Sequence, residues 1–156
     1  MARFHYSMQS ILNIKLKMET QAKQEFSSAR AALDQEEERL QQLYDRKAGY
    51  EAEAAELLMG VLNPRDIEAN KAAILCMGDY IEDQKVQVAE AEKNLELARE
   101  RLTEVMMERK THETLKEKAF EQFLLDEKRQ ESKEIDELTS YTYGQKKKED
   151  RSGVPA

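Results

Sequence analysis

The sequence predicts an all-α protein: an antiparallel two-helix coiled-coil hairpin, a long rod whose second helix is longer than its first. Three observations support this fold. Ala, Glu, Lys, Leu and Arg supply 82 of the 156 residues, and Gly and Pro together supply only seven, a composition typical of long helices. One helix-breaking segment, residues 60–64, divides the chain. On both sides of it, apolar residues recur in alternating steps of four and three.

The first helix is predicted over about residues 6–59. Steps of four and three that start at Met8 and end at Val61 visit sixteen positions, of which twelve are apolar. This spacing places the visited residues on one stripe of a helix, where a partner helix can cover them. The predicted seam residues of this helix include Phe26, Leu33, Leu43 and Tyr50.

A short loop at about residues 60–63 joins the two predicted helices. Gly60 can adopt the left-handed conformation that follows a helix, and Asn63 can cap the next helix. Pro64 suits a first helical position, and Asp66 falls in the first turn, where the helix dipole favours negative charge.

The second helix is predicted over about residues 64–142. We call such a series of positions, spaced by alternating steps of four and three, the walk. From Ile67 to Val105 the walk reaches twelve positions, of which ten are apolar. The predicted seam residues of this helix include Ile74, Ile81, Leu95 and Leu102. Gly144 and the basic run that follows it predict the end of the helix. Residues 1–144 are therefore assigned to the hairpin, and residues 145–156 to a disordered basic and polar tail.

The register between the two helices can also be predicted, because facing residues of an antiparallel pair have numbers with a constant sum. A sum of 124 sets large residues against small ones four times in succession, which keeps the volume of a narrow seam nearly constant. These pairs are Leu33 with Ala91, Ala29 with Leu95, Phe26 with Ala98, and Ala22 with Leu102. At the open end Lys15 would face Arg109. We therefore expect the seam to change phase there, onto a second stripe of Ile11, Ile14 and Met18.

The sequence disfavours an enzyme. One seam between two helices leaves no cleft, and no Gly-rich phosphate loop or Ser/His/Asp arrangement can be assembled. The histidines, His5 and His112, do not form a metal pair, and Cys76 lies far from both. We expect no catalytic residue, no metal, no cofactor and no small-molecule substrate. The net charge of −7 also argues against nucleic acid, although Lys146–Lys148 are basic.

The expected location is the cytoplasm. The N-terminus lacks the apolar segment of a signal peptide, and no run approaches the length of a membrane span. The lone Cys76 cannot form a disulfide within the chain.

Charge divides the chain unevenly. Residues 1–30 carry a net charge of +3, residues 31–108 a net charge of −10, and residues 109–156 a net charge of zero. One interpretation is that the two ends of the hairpin meet different partners, steered by opposite fields. The alternative is chance drift in the charge of solvated helices.

The predicted second helix is longer than the first, so residues beyond about 120 should have no partner in helix one. Unpaired apolar residues on such an overhang are either a binding surface or a frayed, self-associating end. These residues are Phe120, Phe123, Leu124, Leu125, Ile135 and Leu138.

Several segments resemble FliJ-type flagellar export proteins, and together they extend over about residues 3–144. The opening segment is Phe4-His5-Tyr6-Ser7-Met8-Gln9-Ser10-Ile11-Leu12-Asn13-Ile14-Lys15. The other matching segments are residues 22–26, 62–67, 108–113 and 130–138.

The resemblance implies a cytoplasmic component of the flagellar type III export apparatus, peripherally associated with the cell membrane at the flagellar base. It implies a stalk-like hairpin that inserts into the hexameric export ATPase, contacts the cytoplasmic part of the export gate and binds export chaperones. It also implies that the end bearing both termini meets the ATPase.

On that basis we assign candidate binding residues to each end. The ATPase-end candidates are Lys17, Lys23, Lys116, Lys118, Phe120, Phe123 and Leu124. The export-gate candidates near the hairpin tip are Glu51, Glu53, Tyr80, Glu82 and Asp83. Two alternatives stay open: an injectisome stalk protein, and a structural or tethering coiled coil unrelated to export.

Overall fold

A computed structural model describes residues 2–152, with side chains as far as residue 150. The chain forms two α-helices, α1 (Gln9–Leu57) and α2 (Pro64–Ser152), and residues 2–152 contain no strand. The second helix, with 89 residues, is longer than the first, with 49. A short loop joins them and they pack side by side, so the predicted all-α antiparallel hairpin is confirmed.

The contacts divide the chain into two compact units, which are described separately. The paired unit is Lys15–Met107, and it contains the loop and the helix segments on both sides of it. The terminal unit is Met1–Ile14 together with Glu108–Ala156.

The loop has the local structure that its residues predict. Gly60 has a positive φ of 78°, the left-handed conformation that glycine adopts without strain. The side chain of Asn63 caps α2, because its Oδ1 accepts a hydrogen bond from the Arg65 amide at 3.1 Å. The Asn63 carbonyl accepts the first helical bond, from Ile67 at 3.1 Å. The helix then begins at Pro64.

The predicted end of helix two near residue 142 is wrong, because α2 continues through Gly144 to Ser152. The predicted disordered tail is therefore helical over residues 145–152, and residues 153–156 lie outside the described residues. A single Gly costs a helix only about 1 kcal/mol relative to Ala, and the Gln, Lys and Glu residues that follow favour helix. One unfavourable residue is thus too weak a signal to end a long helix.

Burial in the paired unit follows the predicted walk. On α1 from Lys15 to Leu57, every walk position is buried or half-buried, and Met18 is the one other residue of this stretch that is not exposed. On α2 from Ile67 to Val105, all twelve walk positions are buried or half-buried. Side chains at this spacing lie on one helical face, so each helix buries one stripe.

The best-buried part of the paired unit is a cluster of Leu33, Ala91 and Leu95, none more than 7% exposed. Phe26, Ala29 and Val88 pack against this cluster from both helices. Large and small side chains therefore alternate across the interface, as expected for two helices whose axes stay close together.

Polar residues also occupy the stripe, and they bond across it. Asn70 is 7% exposed and donates its Nδ2 hydrogen to the Tyr50 carbonyl at 2.9 Å. Gln84 donates Nε2 hydrogens to the Glu36 carbonyl at 3.0 Å and to the Glu36 carboxylate. A buried polar group needs a partner, so these bonds penalise other registers of the two helices.

The predicted change of seam phase at the open end is wrong. Leu12, a position of the original walk, is 4% exposed, whereas Ile11 and Ile14 of the proposed second stripe are 39% and 56% exposed. Met18 is the one member of that stripe that is half-buried. Lys15 keeps its place on the walk and is half-buried. A lysine can line an apolar stripe with its hydrocarbon stem while its ammonium group reaches water, so no phase change is needed.

The terminal unit has a different core. Residues 2–8 precede α1 without helical structure, and the Phe4 ring packs against two rings of α2. Tyr6 is 8% exposed. Half-buried residues of α2 end at Glu127, and from Lys128 to Asp150 every side chain is exposed.

Candidate functional site

The gate candidates lie in the paired unit, and all five are exposed. The bonds of Asn70 to Tyr50 and of Gln84 to Glu36 fix the level of each residue along the hairpin. With a rise of 1.5 Å per residue, Tyr80, Glu82 and Asp83 lie roughly 20 Å further from the loop than Glu51 and Glu53. The structure thus places these five residues in two groups rather than in one cluster.

Two of the gate candidates have close neighbours on α2. The Glu82 carboxylate accepts a hydrogen bond from Lys85 Nζ at 3.1 Å, and this bond raises the pKa of Lys85. The pKa of Tyr80 is raised from its usual value of 10.0, chiefly by a hydrogen bond with Cys76 and by the charge of that thiol. A hydrogen bond that involves the phenol hydroxyl favours its protonated form.

The basic candidates at the ATPase end divide between the units. Lys17 and Lys23 belong to the paired unit and are exposed, and Lys23 forms an ion pair of 3.5 Å with Glu19 on the preceding turn. Lys116 and Lys118 belong to the terminal unit, where Lys116 is half-buried and Lys118 is exposed.

The apolar ATPase-end candidates are not all unpartnered, which corrects the predicted overhang. Phe4 packs edge-on against Phe120, with ring centroids 5.1 Å apart, and lies 5.3 Å from Phe123. Phe120 stays 43% exposed and Leu124 stays 51% exposed. The non-helical segment before α1 supplies the contact, and helix periodicity cannot predict such a segment.

A signal for this aromatic cluster was nevertheless present in the sequence. Phe4 and Phe120 share the constant sum of 124 that was predicted for the seam, so extending this predicted register past the start of the helix would have paired them. In the same terminal unit, the Tyr6 hydroxyl and His112 Nδ1 are buried without a hydrogen-bond partner.

The loop between the helices is a second feature that the site prediction missed. Four of the five residues 58–62 are large and apolar, and they point into solvent. Their exposed fractions are 66% for Leu58, 77% for Met59, 99% for Val61 and 57% for Leu62. The segment that the sequence identifies as a helix break therefore also forms an apolar surface.

Beside the loop lies a groove of about 260 Å³, mainly apolar in its lining. Leu57, Leu58 and Ile67 line the part next to the loop, and Ile74 lies deeper along the helices. Leu58 belongs to both features, so the exposed loop and the groove form one continuous apolar surface.

The described residues offer no cluster of three or more His, Cys, Asp or Glu side chains that could hold a metal ion. Neither helix contains, within the described range, an apolar stretch long enough to cross a bilayer. What these residues do present is charged and apolar surface on long paired helices. Such features define a class: coiled-coil proteins whose functional surfaces suit other proteins.

The family follows from a comparison of sequences. The chain matches the model of the flagellar FliJ protein family over residues 4–148, and it belongs to that family. It is therefore a stalk-like component of flagellar type III protein export, from a structural, non-catalytic family.

A solved structure has a similar fold. It is that of CT670 from Chlamydia trachomatis, described as a homologue of YscO, with a TM-score of 0.71 and 24% sequence identity. The alignment covers 94% of this chain and 99% of that chain. No curated protein matches this chain by sequence.

Proposed function

We propose that this chain is a stalk of the flagellar export apparatus, which binds the hexameric export ATPase and links it to the cytoplasmic part of the export gate. The observation that carries the proposal is the family match, which extends over residues 4–148 and thus over most of both helices. The proposed location is the cytoplasmic side of the cell membrane at the flagellar base. Export chaperones are the proposed third class of partner.

At the ATPase end, the proposed contacts are of two kinds. Lys17, Lys23, Lys116 and Lys118 would steer the encounter, because rim charges act mainly on the rate of association. Phe120, Phe123 and Leu124 would supply apolar area, since 43% of Phe120 and 51% of Leu124 are exposed. Support for this polarity comes from the net charge of +3 on residues 1–30.

At the opposite end, the proposed gate contacts are Glu51, Glu53, Tyr80, Glu82 and Asp83. The net charge of −10 on residues 31–108 supports a partner with a basic surface there. Because these candidates form two groups roughly 20 Å apart, the proposed gate surface extends along the helices rather than covering only the tip.

An ATPase assay and a gate-binding assay test the two ends together. The basic pairs are reversed separately, as Lys17→Glu with Lys23→Glu and as Lys116→Glu with Lys118→Glu. Each variant should weaken stimulation of the purified export ATPase by about two- to tenfold at low salt, and the difference should shrink at high salt. A matched control reverses two other exposed lysines, Lys71→Glu with Lys93→Glu, and should leave stimulation unchanged.

In a further variant of the otherwise wild-type chain, the charges of the acidic candidates are reversed together, as Glu51→Lys, Glu53→Lys, Glu82→Lys and Asp83→Lys. This variant should keep ATPase stimulation and bind the purified cytoplasmic part of the gate more weakly. If it loses stimulation while both basic variants keep it, the assigned polarity is reversed. If the wild-type chain affects neither partner, the stalk proposal fails.

The injectisome alternative keeps one supporting observation, the fold shared with the YscO homologue, but at 24% identity this likeness concerns the fold alone. The family match favours the flagellar system. Restoration of swimming by this chain in a strain that lacks its own copy would distinguish the two. An unrelated tethering coiled coil would also fail that test.

A further inference from the structure

The loop at the hairpin tip has too much exposed apolar surface for a solvated turn. Leu58, Met59, Val61 and Leu62 are each more than half exposed, and Val61 is 99% exposed. Scattered single apolar residues are common on protein surfaces, whereas a contiguous group marks a binding site. The neighbouring groove lined by Leu57, Leu58 and Ile67 extends this group.

The loop holds these side chains in a defined arrangement. The Met59 amide donates a hydrogen bond to the Glu56 carbonyl at 3.0 Å, which closes the end of α1. Gly60 turns the chain at a φ of 78°, and Asn63 caps α2 directly after the apolar residues. A loop fixed at both ends loses little conformational entropy when it binds, so its apolar area contributes efficiently to affinity.

Charge around the loop restricts what can cover it. Residues 51–71 contain five acidic side chains and two basic ones. This acidic collar would be repelled by an anionic membrane surface, and it would meet its own like charge in a second copy of the chain. A protein socket that is apolar inside and basic at its rim complements both the loop and the collar.

We infer that residues 58–62 are the apolar anchor of the contact with the export gate, inserted into an apolar socket of that partner with a basic rim. The inference rests on the proposed gate contact and adds its main source of affinity. The loop and the carboxylates then have separate roles. Desolvated apolar side chains hold the complex together, and the acidic collar speeds its formation.

The test compares two matched double variants of the full chain. One replaces Val61 and Leu62 with Ser in the loop. The other replaces Val86 and Leu97 with Ser, which removes the same two side-chain types from exposed positions on α2, where they are 63% and 55% exposed. Thermal unfolding should show that both variants keep the fold, because none of the four residues is buried.

Binding kinetics to the purified cytoplasmic part of the gate should separate the variants. The loop variant should bind at least about tenfold more weakly, through faster dissociation, and the control should bind like the wild type. Reversal of Glu51 and Glu53 to Lys should instead slow association and reduce its dependence on salt.

Other results would overturn the inference. If the wild-type chain binds the gate and the loop variant binds equally well, the loop is not the anchor, although the proposed function stands. If the wild-type chain does not bind the gate at all, the proposed gate contact itself fails. Loop-dependent binding to neutral phosphatidylcholine vesicles without gate binding would assign the loop to a membrane. Loop-dependent dimers in light scattering, again without gate binding, would assign it to a second copy of the chain.

Discussion

The paired unit and the terminal unit bury their side chains by different means. In Lys15–Met107 each helix buries one regular stripe against the other, and polar residues such as Asn70 and Gln84 take their places within it. In the terminal unit a residue outside any helix contributes as well, because Phe4 packs against two rings of α2. Beyond Glu127, α2 has no buried side chain as far as residue 150.

This difference shows how the same helix can depend on two sources of stability. In the paired unit, tertiary packing of an apolar stripe supports the helix, and this is the usual source of helical stability in proteins. From Lys128 to Asp150 all side chains are exposed, so helix propensity and local side-chain pairs must support it. Substitutions in the two regions should therefore change different measured quantities.

The largest effect should come from a charge in the best-buried part of the paired unit. Leu33→Asp places a carboxylate against Ala91 and Leu95, and we expect the free energy of unfolding to fall by about 3 kcal/mol or more. Urea unfolding followed by circular dichroism measures this loss. Gln35→Asp, at an exposed position two residues away, is the control, and equal losses for the two variants would refute the seam.

A smaller and more local effect is expected from the aromatic cluster. Phe4→Ala removes the ring contacts with Phe120 and Phe123 and should destabilise the terminal unit by about 1–2 kcal/mol. Amide exchange in residues 112–123 should accelerate by about tenfold, while exchange near Leu33 should not change. His5→Ala, an exposed neighbour, should leave both regions unaffected. Uniform acceleration along the whole chain would mean that the two units unfold together.

Replacing a polar residue of the buried stripe should show whether its hydrogen bond or its burial contributes more to the stability of the paired unit. Asn70→Leu fills a buried position with an apolar side chain and should raise the free energy of unfolding by about 1 kcal/mol, at the expense of a unique register. Gln84→Leu should give less or no gain, because it leaves the half-buried Glu36 carboxylate without its bond from Gln84. Chemical denaturation of both variants provides the comparison. A loss of stability with Asn70→Leu would show that its bond to Tyr50 outweighs the gain in apolar burial.

The smallest effect is expected from glycine replacement, and it separates the two regions. A methyl group at Gly49 or Gly144 would meet open space, so each change to Ala should favour helix by about 0.5–1 kcal/mol. Gly49→Ala should raise the midpoint of global unfolding. Gly144→Ala should leave that midpoint unchanged and slow only the amide exchange of residues 138–150. A shift of the global midpoint by Gly144→Ala would show that the end of α2 unfolds together with the rest.

Periodicity predicted the paired unit closely because a coiled-coil seam is a local pattern repeated many times. Each step of four or three adds one more residue to the stripe, and an error at one position, such as the polar Gln84, does not change the phase. The same redundancy is absent at the ends. The expected phase change at Ile11 and Ile14 and the expected helix end near residue 142 each depended on one or two residues, and both were wrong.

The candidate site was harder to predict than the fold. The charge split of the sequence identified exposed acidic and basic residues but treated Glu51 and Glu82 as one group, although the predicted register already set them at separate levels of the hairpin. The sequence shows the apolar loop residues Leu58, Met59, Val61 and Leu62. They were interpreted only as part of a helix break, so the exposure of their side chains was not predicted. Exposure depends on what covers a residue, and a short-range pattern does not contain that information.

The sequence by itself therefore determined two long helices, the place where they separate and the stripe that each one buries. Composition, an Asn-Pro start after Gly60 and a repeated spacing are local properties, and a helix is built from local hydrogen bonds. Only the tertiary structure decided that Phe4 contacts Phe123 as well as Phe120, that Gln84 bonds to Glu36, and that the loop residues face solvent. These contacts join residues far apart in the chain, so they form only when packing brings the segments together.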